Sequence, residues 1–189
     1  IGPSNCGKTN VIMNLLEHIN GLKFENVCVC SKSLNQDKYI YLKDLLKPIK
    51  GIGYKEFSST EDLMEPSKAP PNSVFIFDDV ACDKQDIVRD YFCRGRHNNV
   101  DCFYLCQTYV KIPKHLIRDN ANSFVIFKQD DINLKHLYQE HIGTDMSFEQ
   151  FKEMCSLCWT RPFGFVSILK DCDIDKGRYR KGFDHFIYI

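Results

Sequence analysis

No run of apolar residues in this sequence approaches the roughly 18 needed to span a bilayer as a helix. No basic segment followed by an apolar stretch reads as a secretory signal, so the chain is expected to be intracellular. An excess of charge of either sign is also missing: 25 Lys and Arg balance 25 Asp and Glu. A uniformly basic surface is thereby excluded, and any contact with nucleic acid must come from a local patch or from a pore lined by several subunits. There is no internal repeat and no low-complexity tract. Cys155 and Cys158 have CxxC spacing, but neither a second such pair nor paired histidines accompany them, so packing is favoured over a four-ligand zinc site. The ten cysteines lie mostly in apolar, strand-like runs, among them Cys28, Cys30, Cys102 and Cys106. A reduced, buried cysteine there acts as a small hydrophobe.

What is present is an ordinary globular balance, 43% hydrophobic and 26% charged over 189 residues, a length that fits one domain around one continuous sheet. Short apolar runs alternate with amphipathic ones, the pattern of α/β layering. Strands are expected at Asn26 to Ser31, Gly53 to Phe57, Ser73 to Phe77, Asp101 to Cys106 and Phe124 to Phe127. Gly164 to Leu169 and Phe183 to Ile189 should extend the same sheet. Helices are expected over Gln36 to Lys47, stopped by Pro48, and over Lys84 to Cys93, Ile132 to His141 and Ser147 to Leu157. A helical turn from Thr60 and a proline-rich surface connection, Pro66 to Asn72, complete the reading.

Gly2-Pro3-Ser4-Asn5-Cys6-Gly7-Lys8-Thr9 matches the phosphate-binding (Walker A) pattern GxxxxGK[ST] in full, and the apolar helical run Val11, Ile12, Leu15, Leu16 follows at once. Glycines let such a loop turn its backbone N–H groups inward, and the helix N-terminus behind it adds partial positive charge where phosphates sit. Lys8 should reach the β- and γ-phosphates of ATP, and the Thr9 hydroxyl should ligate Mg2+. Such a loop normally follows a buried strand; only Ile1 precedes Gly2, so most of that strand is expected to lie outside this numbering. Residues 1–189 are read as a single P-loop ATPase domain.

The run Val74-Phe75-Ile76-Phe77-Asp78-Asp79 ends an apolar strand in two acids, the Walker B arrangement. An all-apolar strand must be buried on both faces, as in a parallel sheet, and ligands gather at the carboxyl ends of such strands. Asp78 then faces magnesium. Asp79 stands where a general base would polarise the attacking water, or else caps the following helix. Glutamate is commoner at this place, and the shorter aspartate keeps open a slow, nucleotide-gated switch or assembly factor. A third apolar strand ends at Cys106-Gln107-Thr108. Gln107 is read as a γ-phosphate sensor, since one amide can donate to phosphate and accept from water; the alternative is an ordinary loop glutamine. In ATPases carrying the second acid, this strand lies between the P-loop strand and the acidic strand.

Arg94-Gly95-Arg96-His97-Asn98-Asn99, the strand ending Leu105-Cys106-Gln107-Thr108-Tyr109, and Ile76 to Val80 resemble the poxvirus-type genome-packaging ATPases of the FtsK/HerA superfamily. The closing Arg178-Tyr179-Arg180-Lys181-Gly182-Phe183-Asp184 is similar to the end of the related ATPases of virophages and virus-like transposons. The resemblance implies a RecA-like α/β P-loop NTPase, a mainly parallel sheet flanked by helices on both faces. It also implies ATP hydrolysis in a ring of five or six copies that translocates double-stranded DNA into a capsid. The partners would be DNA, further copies of the chain and a capsid or portal-vertex protein, in the host cytoplasm or nucleus where virus is assembled, or in the virion. A cellular translocase of the same superfamily is the nearest alternative. Relatives carry a trans-acting arginine about eleven residues before the sensor glutamine, the place of Arg96; Arg94 is the substitute, and solvated helix-end charges are the alternative. Lys111, Lys114, His115 and Arg118, and then Arg178, Arg180 and Lys181, are the basic clusters that could meet phosphate backbones, or simply face water.

Overall fold

The alternation of apolar and amphipathic runs becomes a series of strands and helices in this computed structural model, which describes residues 1–189 with the side chain of Leu116 excepted. In chain order they are α1 (Lys8–Glu17), β1 (Asn26–Ser31), α2 (Asp37–Leu46), β2 (Gly53–Phe57), β3 (Ser73–Asp78), α3 (Asp86–Arg94), β4 (Val100–Leu105), β5 (Ser123–Phe127), α4 (Asp131–His141), α5 (Phe148–Cys158), β6 (Phe165–Leu169), β7 (Tyr179–Lys181) and β8 (His185–Ile187). They divide into two units. One holds Lys8–Cys106 and Pro113–Asn120, the other Ile1–Gly7, Gln107–Ile112 and Ala121–Ile189.

The first unit is a four-stranded parallel sheet in the order β2-β1-β3-β4. Side chains alternate across a pleated strand, so odd and even positions meet different layers. Val27, Val29, Val74, Ile76 and Leu105 form one cluster with Ile12, Met13 and Leu16 of α1 and Tyr39, Leu42 and Leu46 of α2. On the other parity, the rings of Phe75 and Phe77 lie 4.4 and 5.6 Å from that of Tyr91 on α3, and Phe92 of the same helix reaches Tyr104 at 6.4 Å. Helices therefore cover both faces, which is why β3 is apolar at every position from Val74 to Phe77, all four fully buried. Register aligns Ser31, Asp78 and Leu105 at the carboxyl ends. Asp78 shares the parity of Val74 and Ile76, so its carboxylate is directed to the layer of α1 and α2.

The second unit is an antiparallel sheet in the order β5-β6-β7-β8. Beside β5, the Ile1 nitrogen donates to the Val125 carbonyl at 2.7 Å and the Phe127 N–H donates to the Ile1 carbonyl at 2.9 Å. That pair of bonds sets Ile1 parallel to β5, opposite Ile126. Asp130 caps α4 by accepting from the Asn133 N–H at 2.8 Å, and Ser147 with Gln150 forms a reciprocal capping box on α5. Cys155 and Cys158 are buried on α5, packing as expected, and burial pushes both thiols up.

One continuous sheet was the expectation from length, and the structure corrects it to two ladders. Both edges of β3 are filled, by β1 and β4. The tail strands do not extend the parallel sheet. Strands joined by short connections such as Gly182 to Asp184 can only pair antiparallel, and Gly182 makes that turn with φ +65°. Strand β7 escapes sequence reading altogether, since three residues with two charges carry no apolar alternation.

Phe75→Ala would remove a fully buried ring stacked on Tyr91. Stability should fall by about 3–5 kcal/mol, read from the midpoint of urea unfolding. A loss below about 1 kcal/mol would mean that the α3 layer closes over the gap.

Candidate nucleotide-binding site

Both glycines of the phosphate-binding pattern are sterically required. A Cβ on Gly2 would lie 2.6 Å from the Cys6 Sγ and from the Phe127 Cβ, so no side chain fits there. Gly7 adopts φ +108°, a conformation that L-residues with side chains rarely reach. Between them Asn5 sits at φ 61°, tolerable for asparagine, and the Cys6 N–H donates to the Pro3 carbonyl across a 3.4 Å turn. Pro3, Ser4 and Asn5 are exposed. Lys8 and Thr9 then open α1.

At the carboxyl end of the parallel sheet, Asp78 retains 8% exposure. The Tyr39 hydroxyl, on α2 and itself 1% exposed, donates to its Oδ2 at 2.6 Å. Thr9 acts on the same tyrosine hydroxyl, holding its pKa down a little, and the Lys8 ammonium acts on Asp78 through its charge. Burial holds the Asp78 carboxyl above the ordinary carboxylate range, opposed by the Tyr39 hydrogen bond and Lys8 and reinforced by Asp79. The Tyr39 hydroxyl is pushed well up by burial and by the carboxylate beside it. Tyr39 is the site residue that sequence reading missed. Its helical spacing with Leu42, Leu45 and Leu46 marked it as core, and only a hydroxyl on that buried face could have pointed further.

Thr9 and Asp78, which both act on the Tyr39 hydroxyl, give hydroxyl and carboxylate oxygens of the kind a hard cation takes. Among the described residues no group of three or more His, Cys, Asp or Glu forms a metal cage. Magnesium usually rests on one or two protein oxygens and takes the rest from phosphate and water.

Asp79 is exposed, with φ 58°, its N–H directed to the Leu105 carbonyl at 3.5 Å. It does not cap the following helix: α3 begins at Asp86 with Gln85 at the N-cap. Gln107 lies two residues beyond β4, exposed, and belongs to the second unit. Arg94 closes α3 and Arg96 follows in a 3-10 turn, Gly95–Asn98, both exposed. Asn98 ties this turn down by donating to the Pro66 and Ser67 carbonyls at 3.0 and 3.1 Å. Because Val100 pairs with Ser73 while Leu105 pairs with Asp78, Arg96 leaves the amino end of the sheet. A strand length of roughly 17 Å separates that end from Asp78.

The basic clusters are less open than their charges suggested. Arg118 is buried, leaving Lys114 and His115 exposed in the turn Lys114–Arg118. Arg178 pairs with Asp145 at 2.8 Å and donates to the Lys170 and His141 carbonyls. Arg180 donates to the carbonyls of Gly177 and Phe183 and lies 4.5 Å over the Phe186 ring. These two arginines brace the antiparallel sheet.

A carboxyl whose pKa is raised on folding holds its proton more tightly in the native state. It therefore costs nothing below its ordinary pKa and destabilises increasingly as pH rises through the raised one. Asp78→Asn keeps the shape and an acceptor for Tyr39 without the charge. The variant should melt above the wild type at pH 7 in the absence of ligand, with the gap closing toward pH 4. An equal gap at both pH values would rule out burial of charge as the cause.

The chain matches the family model described as Poxvirus A32 protein over residues 1–154, a span that takes in the loop, Tyr39, Asp78, Arg96 and Gln107. It is also similar in structure to the genome packaging NTPase B204 from Sulfolobus turreted icosahedral virus 2, solved in complex with AMP. The TM-score is 0.57 at 11% sequence identity, with 90% of each chain covered. At that identity the likeness speaks to the fold, an α/β NTPase fold with a parallel sheet between helices. No curated protein matches the sequence. The family match covers most of the chain and every residue of the candidate site, and the chain belongs to the poxvirus A32 protein family.

Proposed function

We propose that this chain hydrolyses ATP to drive double-stranded DNA into a viral or virus-like capsid. One observation carries the reading: at the carboxyl end of a parallel sheet the buried Asp78 accepts from the Tyr39 hydroxyl under the charge of Lys8, which with Thr9 opens α1 directly after two glycines that are both sterically enforced. The family and the AMP complex of the structural neighbour support an adenine nucleotide and a packaging role.

In this reading the backbone from Ser4 to Thr9 cradles the phosphates and Lys8 neutralises the β- and γ-oxygens. Thr9 and Asp78 would hold magnesium, which would supply positive charge to the phosphates. Asp79 takes the proton from the attacking water, and its exposure leaves it open to solvent. Gln107 senses the γ-phosphate. Arg96, exposed and a strand length from its own Asp78, acts on a neighbour's nucleotide within a ring of five or six copies. The DNA-facing surface and the capsid or portal partner belong to that assembled state.

Asp79→Asn should leave ATP binding intact while abolishing DNA-stimulated phosphate release, and Lys8→Ala should weaken binding itself. Hydrolysis by Asp79→Asn at the wild-type rate would assign the base elsewhere. Equal DNA-stimulated release by wild type and Lys8→Ala would sink the motor. A trans-acting arginine contributes about 10³ to 10⁵ in rate, so Arg96→Ala should silence assembled rings with little change in affinity. Mixed Arg96→Ala and Lys8→Ala subunits should regain activity, since some interfaces then hold both intact residues. If the two variants co-assemble and nothing returns, Arg96 does not act across the interface.

A further inference from the structure

The connection between α5 and β6 presents an aromatic ring to the phosphate-binding loop. Phe163 has φ 62°, a left-handed conformation that is costly for a bulky residue, and yet its side chain is 65% exposed. Burial of the ring therefore cannot be what repays the strain. The connection is held from both sides. The Trp159 indole N–H donates to the Ile126 carbonyl at 3.0 Å, the Gly164 N–H donates to the Arg161 carbonyl at 3.0 Å, and Gly164 sits so close to the Cys158 carbonyl that an added Cβ would lie 2.3 Å from it. Held this way, the ring stands against Gly7: a Cβ there would meet the Phe163 Cδ1 and the Phe127 Cε1, each at 3.5 Å. The two rings differ in what they offer. Phe127 is 2% exposed and supports the loop from within, whereas Phe163 leaves most of its surface open.

Resting on the nucleotide-binding reading above, we propose that Phe163 is the base platform of the site, stacking on the purine of a nucleotide whose phosphates occupy the Ser4 to Gly7 backbone. Every base has a π-face, and an aromatic residue fixed in place before binding loses little freedom on contact. The strained backbone is then the cost of holding the ring ready beside the loop rather than letting it fold into the core. An exposed phenylalanine could instead contact a protein or DNA partner, and the nucleotide experiment separates these cases.

Affinities for MgATP and for magnesium tripolyphosphate, which lacks base and ribose, are measured by calorimetry on the full chain, alongside thermal melting. Phe163→Gly relaxes the left-handed strain. The variant should melt at or above the wild-type temperature, lose roughly tenfold in MgATP affinity, and bind tripolyphosphate as before. Phe163→Tyr, which keeps the ring, should keep ATP affinity. Unchanged MgATP affinity in Phe163→Gly would overturn the proposal, as would a parallel loss for both ligands accompanied by a lower melting temperature, the pattern of a structural residue. A wild type that binds neither ligand would remove the nucleotide site itself, and Phe163 with it.

Discussion

A carboxylate buried at the end of an all-apolar strand is the constraint on which the rest of the first unit turns. Asp78 has little water to solvate it, and isolated buried charge is expensive. The structure meets this with a charge-assisted hydrogen bond from Tyr39 and with the nearby Lys8 ammonium. Each partner comes from a different helix of the same layer, α2 and α1, so the packing of Val27, Val29, Val74 and Ile76 against those helices also fixes the geometry of the polar group. Core and site are one arrangement here. The desolvation that raises the Asp78 pKa shows that the partners do not fully compensate.

Backbone strain follows the same distribution. Asn5, Gly7 and Asp79 take positive φ in the loop and at the end of β3, and Phe163 does so beside Gly7. Among the described residues Asn72 and Asn99 are the other two non-glycine cases, in turns where asparagine is tolerated. For Asp79 the left-handed turn breaks the alternation of the strand, so that consecutive acids reach different surroundings: Asp78 buried against α1 and α2, Asp79 exposed. Two adjacent carboxylates thereby become chemically distinct without any difference in residue type.

Much of this was legible because it is local. The GxxxxGK[ST] pattern specifies its own turn, the continuous apolar run from Val74 to Phe77 requires burial on both faces, and the helices of residues 37–46 and 131–141 follow from their spacing. The capping box at Ser147 and Gln150 likewise sits in four consecutive residues. Sequence spacing could not show how charged residues are used. Arg178 reads as part of a basic patch but is bound to Asp145 and to the His141 carbonyl, partners brought near only by folding, and Arg180 is bound to carbonyls three residues away on either side.

The α/β layering, the GxxxxGK[ST] pattern, the acid at the end of the central strand and the family were all legible in the sequence, since each is written in contiguous residues or in a short period. Tertiary structure alone decided that Tyr39 belongs to the site, that the tail forms its own antiparallel sheet, and that Phe163 stands open beside Gly7. These depend on contacts between residues far apart in the chain, Tyr39 with Asp78 and Gly7 with Phe163. Helical or strand periodicity reports only that a side chain faces inward, and what it meets there is fixed by packing.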